Sequence, residues 1–221
     1  AWAQSYDTNG FGSGSDPYQP ATKTTDKYDI DGDGTKDEVY EIGNAGQLYW
    51  FADKVNNENV TYGSANAVLT DNLTVNSSLI EKLNPDGTAK EGYEVRNWTP
   101  IGWYDNANSV DYYYSGTFDG NDNTISGLYY NGTISASDYD FYSVGFFGRN
   151  AGTIKDVGVE NSYFELKYSG SFCYFGGVCG TNKGSGVIKN CNFTGTVIAT
   201  VKISLSSRGY GTFIGGVCGS N

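Results

Sequence analysis

Two glycine-rich stretches restrict what this chain can fold into. VGFFGRNAGTIKDVGV, from Val144, and GGVCGTNKGSGVIKNCNF, from Gly176, share one order of small and apolar residues, glycine, asparagine, a glycine-rich turn and Ile-Lys. A third copy, GGVCGSN, starts at Gly215. Aligning Phe146, Val178 and Val217 spaces the copies by 32 and 39 residues, so the core of the unit is kept while its loops vary. A unit that buries its apolar face only against its neighbours must keep that face, which is how repeat arrays behave. A looser copy, GTFDGNDNTISGLYYNG, aligns Phe118, Ile125 and Leu128 with Phe147, Ile154 and Val157 at a shared offset of 29.

This pattern predicts an all-β chain whose successive segments stack as a parallel β-helix solenoid, with a right-handed crossover favoured by strand chirality. The Gly pairs 176/177 and 215/216 suit sharp corners, and Ile154, Val157, Ile188 and Phe193 are expected to point inward. Composition agrees: 31 Gly and 19 Tyr, with no Met, no His and 38% hydrophobic residues, favour turns and half-buried strands over packed helices. A net charge of −11 repels phosphate backbones and anionic lipid surfaces, so no nucleic-acid partner is expected. No run approaches the roughly 18 apolar residues that would span a bilayer. The start, AWAQSYDTNG, lacks a basic region followed by an apolar one.

Three regions follow. Residues 1–43 read as an irregular lead-in, and 44–66 as a capping helix with its linker. Residues 67–221 read as β-helix repeats that continue in a longer parent protein. Asn44 with Gln47 three residues later predicts a helix start, and Leu48, Phe51, Ala52 and Val55 mark its apolar face. That face is expected to cover the first open segment of the stack.

Within the lead-in, Asp29-Ile30-Asp31-Gly32-Asp33-Gly34-Thr35-Lys36-Asp37-Glu38 places acidic residues at positions 1, 3, 5 and 9 of a calcium-type loop, with Gly34 at position 6. Asp29, Asp31, Asp33, the Thr35 carbonyl, Asp37 and Glu38 are the candidate ligands of a structural calcium. Position 12 is Tyr40, so Glu38 or Asp37 must replace the usual bidentate glutamate.

Other chemistry is thinner. Asp119, Asp122, Asp138 and Asp140 are loop carboxylates of the kind polysaccharide hydrolases and lyases use, but residues 103–148 contain no Lys or Arg to steady a charged sugar. With no His, Ser-His chemistry is excluded for this segment. The tyrosines Tyr112, Tyr113, Tyr114, Tyr129, Tyr130, Tyr139 and Tyr142 have two readings: an exposed aromatic face for a glycan or protein ligand, or stacking between segments. Cys179 and Cys218 occupy equivalent positions, either as a disulfide or as reduced apolar filler, and the absence of a C-x-x-C pair argues against zinc. Six N-x-S/T sequons, at Asn59, Asn72, Asn76, Asn97, Asn131 and Asn192, are at the level an Asn- and Thr-rich chain produces by chance.

The order of AW, GSGSDPYQ, QLYWFADKVN, WTPIG, YSGTFDGNDNTISGLYY and the VGFFG and GGVCG series resembles the bacterial GLUG-repeat family of large cell-surface and secreted proteins. The resemblance covers nearly the whole chain, with residues about 20 to 40 as an insertion. It implies a right-handed β-helix used as a stalk or adhesive surface, an extracellular or cell-surface location, and no catalytic residues. The expected function is therefore a non-enzymatic structural or adhesive module. A self-assembling filament subunit and a carbohydrate-active enzyme are the alternatives.

Overall fold

The computed structural model describes residues 18–106, 108–135, 141–169, 172–202 and 211–221. Strands β1 (Thr22–Thr24) and β2 (Val39–Ile42) come first and pair antiparallel across the acidic loop. Helix α1 (Ala45–Asn57) and the single turn α2 (Asn59–Tyr62) follow, then β3 (Asn66–Leu69) and β4 (Leu73–Thr74). An excursion with a 3-10 turn at Leu79–Lys82 leads to a hairpin of β5 (Trp103–Asp105) and β6 (Val110–Tyr112).

Three similar rows complete the chain. The first is β7 (Thr117–Asp119), β8 (Thr124–Ser126), β9 (Tyr129–Ser135), β10 (Phe141–Val144) and β11 (Phe147–Asn150). The second is β12 (Thr153–Lys155), β13 (Gly158–Ser169), β14 (Phe172–Gly176) and β15 (Cys179–Asn182). The third is β16 (Val187–Lys189), β17 (Asn192–Lys202), β18 (Thr212–Gly215) and β19 (Cys218–Ser220).

Each row gives one strand or strand pair to each of four sheets, and every pairing between rows is parallel. The protein is thus all-β with parallel sheets. Register sets like over like: Ile154 pairs with Ile188, Lys155 with Lys189, Asn150 with Asn182, and Cys179 with Cys218. The Phe147–Cys179 and Cys179–Cys218 pairings carry the offsets of 32 and 39 expected from the glycine motif. The amide of Val178 donates to Val217 and that of Phe147 to Val178, so these segments share one file.

The looser copy needs correction. Phe118 lies beside Ile154, and Ile125 beside Val159, offsets of 36 and 34 in place of 29. Phe118 belongs to the six-stranded sheet and Phe147 to another, so the alignment matched two different sides of the unit.

The turn from the first to the second strand of each row follows one rule. Asp122, Asp156 and Asn190 all adopt positive φ, at 61°, 53° and 51°. Asn and Asp tolerate this left-handed conformation better than other non-glycine residues, and local hydrogen bonds from their short side chains help. The Asp122 amide donates to the Asp156 carbonyl, and the Asn190 side chain donates to the Asp156 carboxylate at 2.8 Å, so the corners are tied row to row. At the glycine corner, a Cβ on Gly176 would meet the Cys179 carbonyl at 2.1 Å.

Between the sheets lies an apolar core in which Phe118, Phe146, Phe147, Ile154, Phe164, Phe175 and Val178 are fully enclosed. Val157 is buried as expected, while Ile188 and Phe193 pack against the core from half-buried positions. Helix α1 begins where the sequence places it: the Gln47 amide donates to the Asn44 side chain, and the Gly43 amide to the Gln47 side chain. Its apolar face meets the core through Phe51, 6.2 Å from both Tyr114 and Phe118, and through Tyr49 against Trp98 at 5.2 Å.

The described part of the lead-in, residues 18–43, is more ordered than its sequence suggests. β2 pairs parallel with β3 and so joins the six-stranded sheet, and Val39 and Ile42 are buried. A four-residue strand is too short to show periodicity, and it acquires its stability from its neighbour. No helix among the described residues is long and apolar enough to cross a membrane.

Candidate functional site

The acidic loop hangs between β1 and β2 on the outer side of the six-stranded sheet. Ile30 anchors it, buried against Val39 and Val68, and the Ile30 carbonyl accepts from Lys155 Nζ at 3.0 Å. Lys155 also pairs with Asp119 at 3.0 Å, which links the loop to β7 and β12. Gly32 and Gly34, at φ +82° and +90°, let the backbone fold back over Asp29. The Asp29 carboxylate accepts from both of their amides, at 2.8 and 2.9 Å, and Asp37 accepts from the Ile30 amide at 2.8 Å.

Of the six residues expected to form a calcium site, three converge. Carboxylate oxygens of Asp29, Asp31 and Asp37 lie within 4.8 Å of one another. Oxygen ligands sit about 2.3–2.6 Å from calcium, so oxygens on opposite sides of an ion are separated by about twice that distance and the cluster fits. Asp33 is turned to its own turn, where the Thr35 hydroxyl and amide donate to it at 2.6 and 2.7 Å. Those bonds hold its carboxyl below the usual range, the hydroxyl contributing most. Glu38 reaches the other way, to Lys23 at 2.7 Å. Thr35 lies between Asp31 and Asp37 in the chain, and its amide and hydroxyl both serve Asp33.

The other candidates are dispersed. Asp119 is held by Lys155 and by the Asn121 amide at 2.7 Å, while Asp122 serves the corner described above. Asp138, Asp140 and Tyr139 lie outside the described residues. The remaining tyrosines are buried or half-buried. Tyr114, Tyr129 and Tyr130 are inside, Tyr112 stacks on Trp103 at 5.1 Å, Tyr142 is half-buried, and Tyr113 packs beside Arg149. On the β10–β14–β18 sheet, Phe141 stacks on Phe172 and Tyr174 on Phe213, with interplanar angles of 12° and 10°. These ring faces meet each other, so the described aromatics favour stacking between rows over an open aromatic face.

All four cysteines are free thiols. Burial raises Cys179, whereas Cys218, hydrogen-bonded by Cys179, is lowered to about 7. Among the sequons, Asn76 is buried and donates to the carbonyls of Arg96 and Gly127, a structural pin with no room for a glycan. No family model, curated protein or solved structure matches the chain.

Proposed function

We propose that the parallel sheets wrap into a right-handed β-helix and that the protein is a non-enzymatic extracellular module, structural or adhesive, of the GLUG-repeat type. The observation that carries this reading is the stacking of like residues through successive rows, Ile on Ile, Lys on Lys, Asn on Asn and Cys on Cys. Side chains committed to such columns build a rigid rod, and a rod displays whatever its loops carry. The motif order supports the family assignment, and that assignment supports a location at the cell surface.

Calcium belongs to the same reading. Bound by Asp29, Asp31 and Asp37, it would neutralise three clustered carboxylates and fix the loop that Ile30 and Lys155 attach to the sheet. Its role would be structural.

Incubation with a panel of polysaccharides tests the functional class. The expected outcome is retention of glycan-coated beads without release of soluble sugar. Sugar release that disappears in Asp119→Asn or Asp122→Asn would establish a carbohydrate-active enzyme instead.

A further inference from the structure

The β5–β6 hairpin leaves the stack between Ile101, which bridges Phe147, and Tyr114, which bridges Asn150. In repeat folds, excursions of this kind are where binding residues collect, because they can vary without disturbing the core. Arg149, on β11, lies beneath this one and is 7% exposed. Its Nη2 donates to the Tyr113 hydroxyl at 2.7 Å and pairs with Asp111 at 2.8 Å. Its guanidinium carbon is 5.2 Å from the Tyr104 ring centre and 4.9 Å from that of Tyr113. Nε and Nη1 are buried with no acceptor among the described residues.

Buried guanidinium donors without acceptors are costly, and arginine is the side chain best suited to a planar carboxylate. A second cation faces the same group: Lys183 Nζ is 3.6 Å from Asp111 and 4.9 Å from the Tyr113 ring centre. Two cations thus share one carboxylate in a chain whose net charge is −11. Half-buried Tyr104 and Tyr113, the rings nearest the guanidinium, border the site, whereas Trp103 and Tyr112 stack on each other on the opposite face of the hairpin.

We propose that Arg149, Lys183 and the β5–β6 hairpin bind a carboxylated sugar, a uronate, whose carboxylate replaces that of Asp111. Asp111 is then an internal competitor that neutralises the cations until ligand arrives, and the hairpin lifts from Arg149 as the exchange takes place. The carboxylate chemistry follows from the cations. The choice of a sugar acid over an acidic peptide rests on the extracellular reading above.

Calorimetric titration with tri-galacturonate, with neutral tri-galactose and with a tri-glutamate peptide tests the assignment. Tri-galacturonate alone is expected to bind. Asp111→Asn should tighten it about tenfold, as loss of a competing charge-assisted contact would. Arg149→Gln should abolish binding, with circular dichroism reporting whether that variant folds. Lys183→Gln, at an exposed position, should weaken binding several-fold whether or not the arginine variant folds. Lack of uronate binding by the parent protein, or equal binding of the neutral sugar, would overturn the proposal. So would an Asp111→Asn variant with unchanged or weaker affinity. Binding of the peptide alone would overturn the sugar assignment and, with it, the support drawn from the extracellular reading.

Discussion

Asn150 and Asn182 show how a single residue type joins rows. Asn150 Nδ2 donates to Asn182 Oδ1 at 2.7 Å, and Asn182 Nδ2 donates to Asn221 Oδ1 at 2.7 Å. Each amide also satisfies a backbone carbonyl of its own turn, Gly152 for Asn150 and Gly186 for Asn182. Asn150 is fully buried and Asn182 is 6% exposed, so loss of a partner leaves a polar group unsatisfied away from water. Asn182→Ala should therefore lower stability by about 1–3 kcal/mol in urea unfolding. A variant as stable as the parent would show that the ladder contributes nothing. The asparagine of the repeated Gly-x-Asn motif was visible in the sequence as part of a pattern, but its bond to the next row required the register. The same is true of the Asp122, Asp156 and Asn190 corners, whose 34-residue spacing is plain once Val159 is placed beside Ile125.

At the scale of elements, helix α1 was legible because capping and apolar spacing are local properties, and both are realised by residues close in sequence. The β1–β2 pair was not legible, because its partner β3 arrives only after the helix. The acidic loop was recognised by its spacing, and half of its candidate ligands converge. The spacing could not reveal that Lys23 draws Glu38 away or that Thr35 occupies Asp33. These competing contacts rank the ligands. Calcium titrated into the parent should release heat that Asp31→Ala abolishes, since Asp31 belongs to the converging trio. Asp33→Ala should retain most of the binding, because its carboxylate is engaged with Thr35. No heat from the parent would remove calcium from the account, and equal losses in both variants would refute the ranking.

For the whole molecule, the all-β class with parallel sheets followed from glycine content and repetition, whereas the order of the sheets did not. Phe118 and Phe147 sit in similar sequence neighbourhoods yet in different sheets, and only pairing separates them. The central claim is that successive segments lie over one another in register, with Lys155 beside Lys189 on the outer side of one sheet. Neighbouring strands are about 4.8 Å apart, within reach of a short bifunctional thiol reagent. The most direct measurement is therefore cross-linking of Lys155→Cys with Lys189→Cys after Cys173, Cys179, Cys191 and Cys218 have been replaced by alanine, beside a control pairing Lys155→Cys with Ser126→Cys. Efficient linkage of the first pair and none of the second is predicted. Linkage of the control pair, with none between positions 155 and 189, would contradict the account.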